Sequence, residues 1–204
     1  TGSVADRSSH GSFKVKERAT GRVPLALVRA SANEAEFAAG DYRVRMTAEE
    51  YRGGLIVRFE PNGKFMTELV FAAVPGEGIF GGGEQYRQLD MKGEKIVNFV
   101  SEHIVVPPIV RKTILKFLPY KEKPHSYIGT YSPMSTYTSS EKSALRFDVS
   151  AYGVADFTRG DASVFRFAEC PRSAFYAAGD SFAAVAKTLA AETPSNVRLP
   201  DWCM

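Results

Sequence analysis

The chain has 204 residues, enough for one domain with a sizeable hydrophobic core. Its 44% hydrophobic and 24% charged residues are typical of a globular protein and exclude an intrinsically disordered chain. The formal net charge of +3 is too small for a dedicated nucleic-acid-binding surface. No apolar run reaches the roughly 18 residues that a membrane-spanning helix needs, so we expect neither nucleic acid nor membrane as a partner.

Short strands joined by turns are predicted for most of the chain. Residues 1–12 are small and polar and are expected to form a flexible tail. Apolar runs, several with period-2 alternation, then predict strands at residues 13–16, 25–30, 42–46, 55–59, 65–74, 96–100, 134–138, 144–149, 164–168 and 174–177. Residues 61–64 read Pro-Asn-Gly-Lys and predict a hairpin between two of these strands. The expected fold class is all-β, an antiparallel sandwich.

One helix is predicted near the end of the chain. Asp180 is expected to cap its first turn, and Pro194 ends the pattern. The apolar residues on one helical face, expected to pack on a sheet, are Phe182, Val185, Ala186, Leu189 and Ala190. Residues 13–193 would then form the sandwich domain, and residues 194–204 a linker that leads toward a further domain.

A basic stretch interrupts the strand pattern at residues 107–125. It carries five Lys and Arg residues against one Glu, interleaved with apolar side chains. We interpret it as a long insertion whose apolar members cover a neighbouring surface. A site for a nucleic acid, an anionic ligand or an acidic membrane is the alternative.

The glycine-rich residues 76–81 match the G-x-G-x-x-G string of dinucleotide sites, with Glu102 in the place of the ribose contact. A dinucleotide turn must open a helix whose N-terminus faces the pyrophosphate, and no helical pattern follows here. The glycines are expected instead to allow tight backbone turns beside a neighbouring surface. No cofactor is predicted.

The sequence contains no residue pattern typical of a metal site, a redox-active cysteine pair or a serine nucleophile. His10, His103 and His125 are too dispersed for a metal site, and Cys170 and Cys203 belong to no disulfide framework or redox motif, so a reducing compartment such as the cytoplasm is favoured. No G-x-S-x-G nucleophile turn occurs. No residue of the chain is therefore assigned a catalytic or metal-binding role.

Residues 80–93, which read FGGGEQYRQLDMKG, closely resemble the signature of the N-terminal domain of family 31 glycoside hydrolases. Residues 98–102, 131–140 and 199–202 resemble further segments of that domain and the entry to the catalytic barrel, in the same order. The resemblance covers roughly residues 40–204. Within the family, the Gly-Glu-Gln-aromatic and Leu-Pro-Asp-Trp forms are most similar to sulfoquinovosidases and related α-glucosidases.

This resemblance implies a galactose-mutarotase-like sandwich that precedes a (β/α)8 barrel with two catalytic aspartates, which this chain lacks. The sandwich of such enzymes sends a loop over the barrel mouth, where it shapes the carbohydrate pocket. By position, the residues expected at the pocket rim are Glu84, Gln85, Glu102 and His103. An exposed apolar face near Trp202 and Met204 is expected to contact the barrel.

The resemblance thus favours a non-catalytic N-terminal domain of an α-glycoside hydrolase. A sandwich without a barrel, serving as a structural or assembly subunit of a larger complex, is the alternative. An independent carbohydrate-binding module is a third possibility, and it would need an exposed aromatic platform that the sequence does not reveal.

Overall fold

A computed structural model of the protein describes residues 2–9, 12–19, 21–84, 88–99 and 132–192. These residues form 14 strands and one helix. The first seven strands are β1 (Gly2–Ser9), β2 (Ser12–Ala19), β3 (Ala26–Ala30), β4 (Glu34–Ala39), β5 (Tyr42–Tyr51), β6 (Gly54–Pro61) and β7 (Thr67–Ala72). The others are β8 (Ile79–Gly83), β9 (Lys95–Asn98), β10 (Pro133–Ser139), β11 (Ser143–Asp148), β12 (Gly153–Asp156), β13 (Ala162–Phe167) and β14 (Ser173–Ala178), followed by helix α1 (Phe182–Glu192).

Two antiparallel sheets face each other and enclose the main core. One has eight strands in the order β3-β4-β5-β6-β14-β11-β10-β8, and the other has four in the order β7-β13-β12-β9. The core takes Phe59 and Phe147 from the first sheet and Ile96 and Phe165 from the second. The rings of Phe147 and Phe165 lie 4.8 Å apart between centroids, which joins the sheets directly. The prediction of an all-β sandwich is confirmed, while its galactose-mutarotase-like character stays a prediction.

The hairpin predicted at residues 61–64 is wrong. Strand β6 pairs with β5 and β14, whereas β7 pairs with β13 in the other sheet, so the chain crosses between the sheets there. Asn62 holds this crossing: its Oδ1 accepts the Arg43 N–H at 3.0 Å, and its Nδ2 donates to the Asp41 carbonyl. Turn residues indicate that the chain bends, but the strand partners are chosen by packing over long distances in sequence.

The tight hairpin of this region joins β5 to β6 instead. Tyr51 pairs with Gly54, and the two turn residues, Arg52 and Gly53, have φ of 50° and 81°. Two consecutive residues with positive φ define the primed turn whose twist matches that of the flanking strands. Gly53 therefore serves the β5–β6 turn, and Gly54 begins β6.

Strand β1 lies within the segment that was predicted as a tail. It pairs with β2 in an antiparallel two-stranded sheet, from Gly2 opposite Ala19 to Ser9 opposite Ser12. This pair makes no strand-to-strand hydrogen bonds with the two larger sheets. The domain boundaries proposed from sequence stay predictions.

Helix α1 forms where predicted, but its cap and its buried face differ. Ser181, not Asp180, is the cap, because its Oγ accepts the Ala184 N–H at 3.2 Å. Val185 is 1% exposed and packs with Leu189 on the outer face of the eight-stranded sheet, against Ile56, Phe175 and their neighbours. Phe182, predicted on the buried face, is 51% exposed, since it lies one turn before the contact. At 11 residues, the described helix is too short to cross a membrane.

Candidate functional site

The glycines of β8 allow this strand to lie against the backbone of β10. Gly81 and Gly83 have φ of 111° and 91°, in the region that favours glycine. A Cβ atom on Gly81 would lie 2.4 Å from the Thr136 carbonyl oxygen, and one on Gly83 would lie 2.0 Å from that of Ser132. The glycine-rich string leads into an edge strand rather than a helix, and it serves close backbone approach as expected.

Glu77, inside the same string, is a buried structural carboxylate. It is 7% exposed and accepts a hydrogen bond from Ser139 Oγ at 2.8 Å and one from the Val74 N–H at 3.3 Å. Lys92 Nζ lies 3.4 Å from its Oε1. The contacts of Glu77 thus join the segment that precedes β8 to the end of β10 and to the loop that contains Lys92.

Asp90 holds the later residues of the 80–93 signature next to β8. Its Oδ1 accepts the N–H groups of Lys92 and Ile79, each at 2.9 Å, and these hydrogen bonds hold the pKa of the carboxyl below its usual value. The neighbouring Met91 is 3% exposed and donates its N–H to the Ile79 carbonyl at 2.7 Å. Asp90 and Met91 therefore have structural roles.

One end of the sandwich brings together the strand ends that carry the predicted rim residues. Glu84, directly after β8, donates its N–H to the Ser132 carbonyl at 3.2 Å. Asn98, the last residue of β9, donates from Nδ2 to Ser135 Oγ in β10. We call this end, defined by Glu84, Asn98, Ser132 and Ser135, the rim end.

Of the four predicted rim residues, the structure describes only Glu84, whose side chain is exposed. Gln85, Glu102 and His103 lie outside the described residues, as do the basic stretch 107–125 and the expected contact residues Trp202 and Met204. Gln85 follows Glu84 directly, and Glu102 and His103 follow the end of β9 closely in sequence. Their shared role at the rim stays a prediction.

A cleft of about 350 Å³ opens at the rim end. It is lined by the end of β9, the first half of β10, part of β11 and the turn that follows β11. The described residues along its wall are Asn98, Phe99, Pro133, Met134, Ser135, Thr136, Arg146, Phe147, Val149, Ser150 and Ala151. Six of them lie in the family-like segments 98–102 and 131–140, but none of them was predicted to line a cleft. The amide of Asn98, at a position where the alternation of β9 calls for an apolar side chain, is a further signal.

The described part of the chain contains no cluster of three or more His, Cys, Asp or Glu side chains suited to a metal ion. Cys170 is half-buried, and burial raises the pKa of its thiol, so it lacks the thiolate character of a reactive cysteine. The features of the site are therefore the exposed Glu84 and the adjoining cleft.

Comparisons with known proteins show what this chain resembles. No protein-family model matches the sequence. A sulfoquinovosidase from Agrobacterium fabrum is 33% identical over 134 residues, which make up 66% of this chain and 20% of that enzyme. The solved structure of a GH31 family sulfoquinovosidase from E. rectale superimposes with a TM-score of 0.76 at 20% identity, covering 98% of this chain and 31% of that one.

The sequence match and the shared fold show that the chain is related to the family 31 glycoside hydrolases (GH31). Within that family, both proteins that it resembles here are sulfoquinovosidases. The chain spans about a fifth of the length of the A. fabrum enzyme.

Proposed function

We propose that this chain is the non-catalytic N-terminal sandwich of a GH31 α-glycoside hydrolase and that its rim end shapes the substrate pocket of a catalytic barrel outside the chain. The main support for this proposal is that the structural superposition covers nearly the whole of this chain but only 31% of the solved sulfoquinovosidase chain. The catalytic barrel would thus be supplied by the remaining, larger part of such an enzyme.

The contacts of several described carboxylates support the assignment of catalysis to the barrel rather than to the sandwich. A retaining glycosidase needs two carboxyl groups about 5–5.5 Å apart on either side of the sugar. Here Glu77 is buried beneath Ser139, and Asp90 accepts two backbone hydrogen bonds. Asp156 pairs with Lys95 at 2.7 Å, and Asp161 pairs with Arg159 at 2.8 Å. These groups serve the fold, so the catalytic pair would come from the barrel.

The convergence of β8, β9 and β10 supports a role for the rim end in the pocket. Glu84 projects from a backbone position fixed by the glycine run and by its bond to Ser132. Gln85, Glu102 and His103 follow the same strand ends. We propose that these four residues orient substrate or a barrel loop, which would require positions held to a fraction of an ångström.

Sulfoquinovosides are the first substrates to test, because both relatives are named for that activity. We expect the purified chain alone to show no hydrolysis of aryl sulfoquinovosides or aryl α-glucosides above background. The coding sequence beyond Met204 should encode a barrel, and the longer protein, or the chain mixed with its separate barrel, should hydrolyse one of these substrates. Turnover by the chain alone that a single carboxylate substitution abolishes would overturn the proposal.

The role of the rim end is tested in the active longer protein. Glu84→Gln should raise KM or lower kcat severalfold through mispositioning. Glu141→Gln is the matched control, since Glu141 is an exposed glutamate beyond the opposite end of β10. Equal kinetics for both variants would remove Glu84 from the pocket. A stop codon directly after Met204, with no barrel partner, would instead favour an assembly subunit.

A further inference from the structure

Arg52 occupies a backbone position that favours glycine. It is the first of the two residues in the β5–β6 turn, where both φ values are positive, and its own φ is 50°. Asn, Asp and Gly are preferred at such positions, because a larger side chain crowds the backbone there. A residue held in this conformation against its preference points to a role elsewhere in the structure.

The guanidinium of Arg52 contacts the far end of helix α1. Its Nη1 donates to the carbonyl oxygen of Ala191 at 2.7 Å, although 139 positions separate the two residues. Its Cζ lies 5.2 Å from the centre of the Tyr51 ring, so the cation lies over the aromatic face, which supports its orientation. Arg52 therefore ties the last turn of α1 to the β5–β6 turn.

Helix α1 carries no basic residue of its own in its last turn. The last carbonyl groups of a helix have no partner within the helix and carry partial negative charge, which a nearby Lys or Arg offsets. Thr193 and Pro194 follow the helix in sequence, where a capping glycine is common. Arg52 thus supplies, from another element, the cation that this helix end lacks.

Further contacts hold the same end of the helix on the large sheet. Tyr51 packs in the apolar cluster between α1 and the sheet. A Cβ atom on Gly53 would lie 3.9 Å from Oγ1 of Thr188, so the turn lies directly beside the helix. The carboxylate of Glu192 pairs with Arg146 of β11. The C-terminal half of α1 therefore has a fixed position on the sheet.

We propose that Arg52 is a positioning residue, which sets the direction in which the chain leaves α1 and thereby the placement of the following domain against the rim end. This inference rests on the proposed function, in which the chain continues from α1 toward a catalytic barrel. Catalysis requires that the groups around a pocket are held to a fraction of an ångström. A helix that frays at its last turn would let the two domains shift, whereas the Arg52 bond keeps the start of their connection fixed.

The effect on the helix is tested by hydrogen exchange in the isotopically labelled 204-residue chain. Arg52→Gly removes the guanidinium and gives the turn the residue that its φ favours, so the hairpin keeps its conformation. The backbone amides of residues 189–192 should then exchange about two- to fivefold faster, the range expected for one cation at a helix C-terminus. Lys142→Gly is the matched control, because Lys142 is the other described non-glycine residue with a positive φ and its side chain is exposed. It should leave these amides unchanged.

The positioning role is tested in the active longer protein, well below the unfolding temperature of every variant. Arg52→Gly should lower kcat/KM severalfold through mispositioning of the pocket. Arg52→Lys, whose ammonium group can still donate to the Ala191 carbonyl, should recover most of this loss. Lys142→Gly should match the unchanged protein. A general loss of stability would not change kcat/KM at that temperature.

Three results would overturn the proposal. The first is equal exchange at the end of α1 in Arg52→Gly and Lys142→Gly, which would show that Arg52 does not hold the helix. The second is equal kcat/KM in Arg52→Gly and the unchanged protein, and the third is an Arg52→Lys variant as impaired as Arg52→Gly. Absence of hydrolysis by the unchanged longer protein would instead contradict the proposed function, and the exchange comparison would still decide whether Arg52 holds α1.

Discussion

Ser139 Oγ lies 2.8 Å from Oε2 of Glu77, although 62 positions separate the two residues in the chain. This buried hydrogen bond fastens the end of β10 to the loop that enters β8, and Lys92 approaches the same carboxylate. The glycine-rich signature is thereby anchored at the end of β8 opposite the rim.

We expect Ser139→Ala to lower the free energy of unfolding by about 1–3 kcal/mol, because a buried carboxylate loses a hydrogen-bond donor. Denaturant unfolding followed by circular dichroism measures the change. Ser150→Ala, which removes an exposed hydroxyl, should change it by less than about 0.5 kcal/mol. Equal effects of the two substitutions would show that the Ser139 bond contributes nothing.

Gly83→Ala should destabilise the protein by roughly 3 kcal/mol or more, since a Cβ would collide with the Ser132 carbonyl at a positive φ. Gly160 is the control, because a Cβ there meets nothing within 4 Å. Gly160→Ala should stay within about 0.5 kcal/mol of the unchanged protein. If thermal unfolding finds the two variants alike, β8 does not lie against β10 as described.

The helix cap is tested by two neighbouring substitutions. Ser181→Ala should cost about 1 kcal/mol, since the Ala184 N–H loses its acceptor. Asp180→Ala should be close to neutral, because Asp180 lies outside the capping bond. The reverse order of the two effects in denaturant unfolding would restore Asp180 as the cap.

Val185→Ala should cost about 2 kcal/mol, because Val185 is 1% exposed and fills the contact between α1 and the sheet. Phe182→Ala removes a larger side chain that is 51% exposed and should cost less. Thermal unfolding of the two variants decides the point. A larger loss for Phe182 would mean that the helix buries its first turn after all.

From the contacts of Asp156 we expect the folded protein to lose stability in acid. Burial opposes its ionisation, but hydrogen bonds from Lys95 and from Thr158 outweigh burial and hold the pKa of the carboxyl below its usual value. A carboxyl with a lowered folded-state pKa stabilises the fold above its unfolded pKa of about 3.9, and this contribution is lost as the pH falls through the folded pKa. Asp156→Asn should therefore be less stable than the unchanged protein at pH 7, with the gap narrowing toward pH ~2. A gap that stays constant across this range would refute the assignment.

Local sequence patterns located most of the strands and the helix. Periodic apolar residues marked β5, β6, β10, β11, β13 and β14, because a side chain that faces a core must be apolar whatever its partner strand. Four strands escaped notice: β1, β4, β8 and β12. The alanines and glutamates of β4 and the three glycines of β8 have low strand propensity, which tertiary pairing overrides. The burial of β12 is decided by its neighbours β9 and β13.

The sequence by itself determined the class of the fold and the relationship to GH31, because alternation and the residue 80–93 signature are local properties that need no partner. Only the tertiary structure decided which strands pair, that β6 and β7 lie in different sheets, and that Ser181 rather than Asp180 caps α1. It also brought Asn98 of β9 next to Ser135 of β10. The reason is physical: pairing and polar satisfaction depend on contacts between residues far apart in the chain, and no local pattern records them.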